Sequence, residues 1–218
     1  MIRVGFDHPF RPLAWMEGQD AHGILIERVR QILVNAGWPP TFHPYTLESI
    51  EPALAAGEID LIAFKGILPQ RATSLAFSRP VLRSGTALFL PLNARVGSAD
   101  SMGSLEGHFV ATPRRGPLAP LITANYPSVQ LLLTASYEEA LRMVARGEAQ
   151  AAALNLHVGR QWVLDLHLPI ALPRRPIMDV DMAIATRFEL AESLLPAINK
   201  AILPFELLHY GHGPAQAV

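Results

Sequence analysis

The sequence predicts an α/β protein with largely parallel sheets, and three observations carry that prediction. Short apolar runs alternate with segments of helical period along most of the chain, the pattern of helices packed on parallel strands. A helix-then-strand passage, SIEPALAAGEIDLIAF from Ser49 to Phe64, is echoed by SYEEALRMVARGEAQAAAL from Ser136 to Leu154. Half of the 218 residues are hydrophobic, enough to bury one large core or the cores of two small lobes.

Taken in order, Ile2 to Phe6 reads as a β-branched strand, stopped by DHPFRPLAW, whose two prolines make a loop. HGILIERVRQILVNAG then repeats apolar residues at Ile24, Ile26, Val29, Ile32 and Leu33, a helical period closed by Gly37. TFHPYT is a weaker strand, LESIEPALAAG a short helix with Pro52 in its first turn and Gly57 past its end, and IDLIAF a fully buried strand. SGTALFLPL is a long strand, and the Gly- and Ser-rich RVGSADSMGSLEG after it marks the best boundary in the chain. A strand HFVATP, a loop RRGP, a helix LAPLITANY and a strand VQLLLT follow. The second echo opens with Ser136 and Glu139, an S-x-x-E capping box. HVGRQWVLDLH is helical by period, LPIALPRRPIMDVDMAIATR runs extended, ELAESLLPAINKAILPFELLHYG is helical with proline interruptions, and HGPAQAV frays. The echoes read as analogous parts of two lobes, not as a solenoid repeat.

Composition excludes several functions. The formal net charge of -1 gives no global field for nucleic acid or an anionic membrane, so a basic site has to be local and no nucleic-acid partner is expected. The absence of cysteine removes disulfides, thiol catalysis and thiolate metal sites. No apolar run reaches the roughly 20 residues of a membrane span. IRVGF starts a strand almost at once, so a leader of an exported protein would already have been removed. The eight histidines form no H-E-x-x-H or similar spacing, and no G-x-S-x-G, P-loop or dinucleotide fingerprint is present; neither a metal nor a cofactor is expected.

The ordered set of motifs resembles the bacterial extracellular solute-binding proteins of family 3, the amino-acid-binding type with the periplasmic type II, or Venus-flytrap, fold. The carrying residues are IRVGFDHPF with HGILIERV, then ALAAGEIDLIAFKGILPQRATSLAFSRP with its T-x-x-R turn and Phe-Ser-x-Pro, and last EEALRMVARGEAQAAAL. The resemblance implies two lobes joined by two crossover strands, with a ligand held in the cleft between them and hinge closure around it. Lobe 1 would comprise residues 1–87 and 182–218, and lobe 2 residues 88–181, with crossovers near Leu88 to Leu90 and Asp179 to Asp181. Independently of the family, ligands of open α/β sheets lie outside the carboxyl ends of strands.

Arg71 stands where the family's arginine grips a ligand carboxylate, a task suited to a guanidinium fork that is always charged; the alternative is an arginine paired with a nearby surface acid. Before it, Ala63 to Leu68 lacks the side-chain hydroxyls usual in amino-acid binders. Gly66 would let backbone donors approach a ligand, and Lys65 is either a second anion contact or a solvated side chain. In the second echo the family's acid is replaced by Asn155, which accepts a hydrogen bond but offers an ammonium no countercharge; it also fits a plain turn residue after a strand. That departure favours a carboxylate without an amine, or another small polar organic molecule. Thr112, Arg115 and Gly116 in TPRRGPL form a candidate anion site ahead of a helix. Phe10 and Trp15 flank the first loop, with Phe10 either core or cleft wall, and Asp7 and His8 end the first strand.

The reading is a monomeric, extracytoplasmic solute-binding protein that is not an enzyme. It takes a small-molecule ligand and works with the membrane permease of an ABC transporter. The alternative is the ligand-sensing domain of a sensor kinase, fused to a receptor module. A cyclohexadienyl dehydratase-like enzyme is a third reading and would need Asp7 or His8 as its acid or base.

Overall fold

The computed structural model describes residues 1–94 and 101–202. The start of the Gly- and Ser-rich boundary segment and the tail beyond residue 202, with His209 and His212, lie outside the described residues. The chain divides into two compact units, Met1–Arg83 with the return from Val180 onward, and Ser84–Asp179. Both divisions fall inside strands, and the first lies four residues upstream of the lobe boundary expected after residue 87.

The first unit contains β1 (Ile2–Asp7), a hairpin of β2 (Trp15–Glu17) and β3 (Asp20–His22), α1 (Ile24–Asn35), β4 (Pro40–Tyr45), α2 (Ile50–Ala55) and β5 (Leu61–Gly66). Strand β1 pairs in parallel with β4 and with β5, and β5 pairs antiparallel with the returning strand β10 (Met178–Thr186). With partners on both edges, β5 is buried along its whole length, Lys65 included. Helix α1 buries Leu25, Ile26, Val29, Ile32 and Leu33, an apolar stripe of helical spacing. The core around α2 packs Ile50, Ala53 and Leu54 against Ile59, Ile62, Leu75 and Ala185. Among the described residues the final helix, α6 (Phe188–Ala201), contains Pro196 and buries Leu194 and Ile198.

Strand β6 (Ala76–Phe89) leads into the second unit, which continues through β7 (Phe109–Pro113), α3 (Leu118–Asn125), β8 (Gln130–Thr134), α4 (Tyr137–Ala145), β9 (Ala151–Asn155) and α5 (Leu156–Asp165). Strand β7 is parallel to β8 and β9, and β9 pairs antiparallel with β6 from Thr86 to Phe89. A core of Leu88, Met102, Leu105, Val110, Ile122, Val129, Ala151 and Ala153 lies under α3.

The two echoes share a local mechanism. Helices α2 and α4 each end on a glycine at φ 76°, Gly57 and Gly147, and the following glutamate N–H reaches back five residues, Glu58 to Ala53 and Glu148 to Met143. This is the six-to-one closure of a helix that ends in a left-handed residue, and it points the chain into the next buried strand. In α4 the expected capping box forms on one side, with Ser136 Oγ accepting from Glu139 N at 3.1 Å. The glutamate carboxylate accepts from Ala135 N at 2.6 Å instead of closing on the cap residue itself.

Two elements differ from the sequence reading. The loop through Trp15 includes the first strand of the β2–β3 hairpin, whose three-residue strands are too short to show an alternation. Strand β6 begins at Ala76, eight residues before SGTALFLPL, because Ser78, Arg79 and Pro80 resemble punctuation although they lie within the strand.

Candidate functional site

In the first unit, parallel strands β1 and β5 bring their carboxyl ends side by side, and the residues there form a compact ionic cluster. Asp7 closes β1, and Lys65 and Gly66 close β5. Lys65 is 2% exposed, and its Nζ donates to both oxygens of Asp7 at 3.2 and 3.1 Å. Burial pushes the Asp7 carboxyl above its ordinary range, with Lys65 and Arg71 pulling it part of the way back. After β5 the chain makes a tight turn in which Ala72 N donates to Leu68 O and Leu75 N to Arg71 O. This turn holds Arg71 beside α2, where its Nε donates to Glu51 Oε1 at 3.2 Å and its Nη1 to Gly66 O at 3.4 Å. The same Glu51 oxygen lies 3.9 Å from Lys65 Nζ. Two cations and two carboxylates thus balance within one unit.

Gly66 is constrained by space. A Cβ there would lie 2.8 Å from Val180 Cγ1, so a side chain would press against the return strand, while Arg71 Nη1 would stand at an ordinary contact distance of 3.6 Å. Phe10 is half-buried and stacks on the buried Phe64, with centroids 6.2 Å apart and planes at 19°. Trp15 stacks on His22, carries the Arg11 guanidinium 4.7 Å from its ring centre, and keeps its indole N–H buried without a hydrogen-bond partner. His8 accepts from Met16 N through Nδ1 at 3.2 Å, which ties the first loop to the β2–β3 hairpin.

In the second unit the strand ends hold a neutral hydrogen-bonded network. Thr112, near the end of β7, is fully buried and donates its hydroxyl to Ala153 O at 2.9 Å. Asn155 ends β9 and caps α5, its Oδ1 accepting from His157 N at 3.1 Å and Val158 N at 3.2 Å. Its Nδ2 donates to Ser84 Oγ at 2.9 Å, and Ser84 Oγ lies 3.1 Å from His157 Nδ1. Burial, helped by the charge of Arg160, lowers the His157 pKa to about 4. Neutral His157 can then accept the Ser84 proton through Nδ1. Arg115 is exposed on the loop after β7, and Gly116 follows at φ 104°, a conformation open to glycine at little cost.

Of the residues singled out in the sequence, the structure brings together Asp7, Lys65, Gly66 and Arg71 in the first unit, with Phe10 stacked on Phe64, the residue before Lys65 in β5. In the second it places Thr112 and Asn155 on adjacent elements, with Arg115 and Gly116 in the loop beyond. Sequence reasoning missed Glu51, Ser84 and His157. Glu51 is separated from Arg71 by 20 positions and looks like an ordinary first-turn acid. Ser84 and His157 are 73 positions apart, with no motif linking them.

The α/β fold with its mixed strand pairing matches periplasmic-binding-protein-like domains of the Venus-flytrap kind. The chain belongs to the bacterial extracellular solute-binding proteins, family 3, whose model matches residues 2–203. Among characterised proteins it is similar to the virulence sensor protein BvgS of Bordetella pertussis, 28% identical over 162 residues. That match covers 72% of this chain and 13% of the length of BvgS. Among solved structures it is similar to a histidine kinase sensor domain with similarity to periplasmic binding proteins, with a TM-score of 0.79 at 24% identity over 93% of this chain and 88% of that one. The periplasmic VFT2 domain of B. pertussis BvgS gives a TM-score of 0.74 at 23% identity, covering 94% and 87%. The arginine-bound form of ArgBP from T. maritima gives 0.75 at 21% identity, covering 92% and 94%. These structural likenesses establish the fold. Among the described residues no helix is long and apolar enough to cross a membrane.

Proposed function

We propose that the chain binds a small polar or anionic organic solute at the carboxyl ends of its parallel strands. Arg71 and Lys65 supply the cationic contacts, Gly66 close backbone approach, Phe10 an apolar wall and Asp7 the partner that holds Lys65 in place. Thr112, Arg115, Gly116 and Asn155 of the second unit supply the remaining contacts. The observation that carries the proposal is the pairing of a buried lysine with a strand-end aspartate, next to an arginine whose Nε and Nη1 have protein partners while the fork retains further N–H donors. A family of solute-binding proteins supports the same reading. Lobe 1 of residues 1–87 and 182–218 and lobe 2 of residues 88–181 are the two bodies of this proposal. A solute that engages residues of both shifts the population toward conformations in which both are engaged.

In its natural setting the domain works outside the cytoplasm and is not an enzyme. Its likeness to the virulence sensor protein BvgS favours a sensing role within a larger receptor, and its membership of a solute-binding family keeps a transport-associated role, with an ABC permease as partner, as the second reading. A thermal-shift screen over organic acids, amino acids and amines tests the binding proposal, because a solute that binds the folded state raises apparent stability by mass action. Stabilisation by plain carboxylates is the expected result. Stabilisation only by compounds with a free ammonium would overturn the assignment of Asn155, and no stabilisation by any compound would overturn solute binding.

A further inference from the structure

Both cations assigned to the solute's anionic group already face a carboxylate oxygen of the protein. Glu51 Oε1 lies 3.2 Å from Arg71 Nε and 3.9 Å from Lys65 Nζ. We propose that Glu51 is a built-in competitor: its side chain holds the Nε of Arg71, the place that a solute carboxylate takes when it engages Nε and a second N–H of the guanidinium together, so this two-point binding requires its displacement. Glu51 thereby sets the affinity threshold and selects against weakly engaging carboxylates. The inference rests on the proposed solute-binding role.

The two carboxylates of the cluster are built differently. Asp7 grips Lys65 with both oxygens and its side chain is 14% exposed, so withdrawing it would strand a buried ammonium. Glu51 touches Arg71 through one oxygen, and its side chain is 35% exposed. It can swing into water while Ile50, Ala53 and Leu54 keep α2 anchored in the core. A single-oxygen pair with a partly solvated acid is weak, whereas a carboxylate that takes two N–H groups of a guanidinium in parallel is stronger and directional. A solute that makes the two-point contact displaces Glu51, and one that makes a single contact does not. The displaced charge stays close by, so its repulsion of an anion adds to the threshold.

The test is calorimetric titration of succinate, propionate and benzoate, each beside its amide, into wild type, Glu51→Gln and Glu51→Ser. Thermal unfolding of each unliganded protein checks that the variants are folded. Removing the competing charge is expected to tighten carboxylate binding roughly three- to tenfold and to leave the amides unchanged. Unchanged or weaker carboxylate binding in both variants, with measurable binding by wild type, overturns the competitor role and leaves solute binding intact. An equal gain for amides overturns it too, because the effect would then come from lost bulk rather than lost charge. No binding of any probe by any of the three proteins overturns both the competitor and the solute-binding reading.

Discussion

The strand ends of the two units, reached by echoed helix-to-strand passages, carry opposite kinds of polar chemistry. In the first, four charged side chains neutralise one another around a buried lysine. In the second, Asn155, Ser84 and His157 are linked by hydrogen bonds between uncharged groups, and Thr112 bonds the Ala153 carbonyl. A shared backbone recipe, a glycine-terminated helix feeding a buried strand, therefore leaves the chemistry at the strand tip open. In one unit that chemistry is electrostatic and depends on keeping charges paired, and in the other it depends on keeping one imidazole neutral.

The largest effect that separates the two is expected at Lys65. Lys65→Met leaves Asp7 buried without its partner and should cost about 3–5 kcal/mol, measured by urea unfolding. Adding Asp7→Asn should recover a large part of that loss; additive losses would mean that the pair is not coupled.

Acid should distinguish the units next. His157 has its folded pKa lowered to about 4 from an unfolded value of 6.5. Between these values the unfolded chain binds more protons than the folded one, so stability rises with pH across the window. That contribution is fully present above pH 6.5 and is lost as pH falls toward 4, up to about 3 kcal/mol. Asp7 acts in the opposite sense, because its raised carboxyl holds a proton longer in the folded state, so its contribution becomes less favourable as pH rises through the carboxylate range. His157→Gln should flatten the loss between pH 6.5 and 4 in pH-dependent unfolding; an unchanged slope would remove His157 as its cause.

The smallest of these effects belongs to the cap. Asn155→Ala removes the acceptor of two N–H groups of α5 and should cost about 1 kcal/mol, with Asn155→Ser regaining most of it in chemical denaturation. Equal losses for both substitutions would shift the weight from capping to the Ser84 contact.

Much of this arrangement was legible in the sequence, and the misses have physical causes. Helices α1 and α4 were readable because an apolar stripe and a terminal glycine or capping serine agree with each other. Strand β5 was readable as buried because its apolar run has no polar alternation. The β2–β3 hairpin was not, since three residues cannot display a period of two, and the start of β6 was hidden by Pro80 within the strand. At the site, Arg71 and Lys65 stood out as cations after a core strand, but their partners did not. An ion pair between positions 51 and 71 exists only once α2 packs beside the turn. For Asn155 both readings were visible, and the structure shows its amide capping α5.

The central claim is that the ionic cluster at the tips of β1 and β5 receives an anionic solute through Arg71. The most direct measurement is a titration of wild type and Arg71→Ala with the best carboxylate from the thermal-shift screen, with circular dichroism confirming equal secondary structure. Loss of a charged, hydrogen-bonded contact should weaken binding by roughly ten- to a hundredfold. Equal affinity in the two proteins would contradict the account.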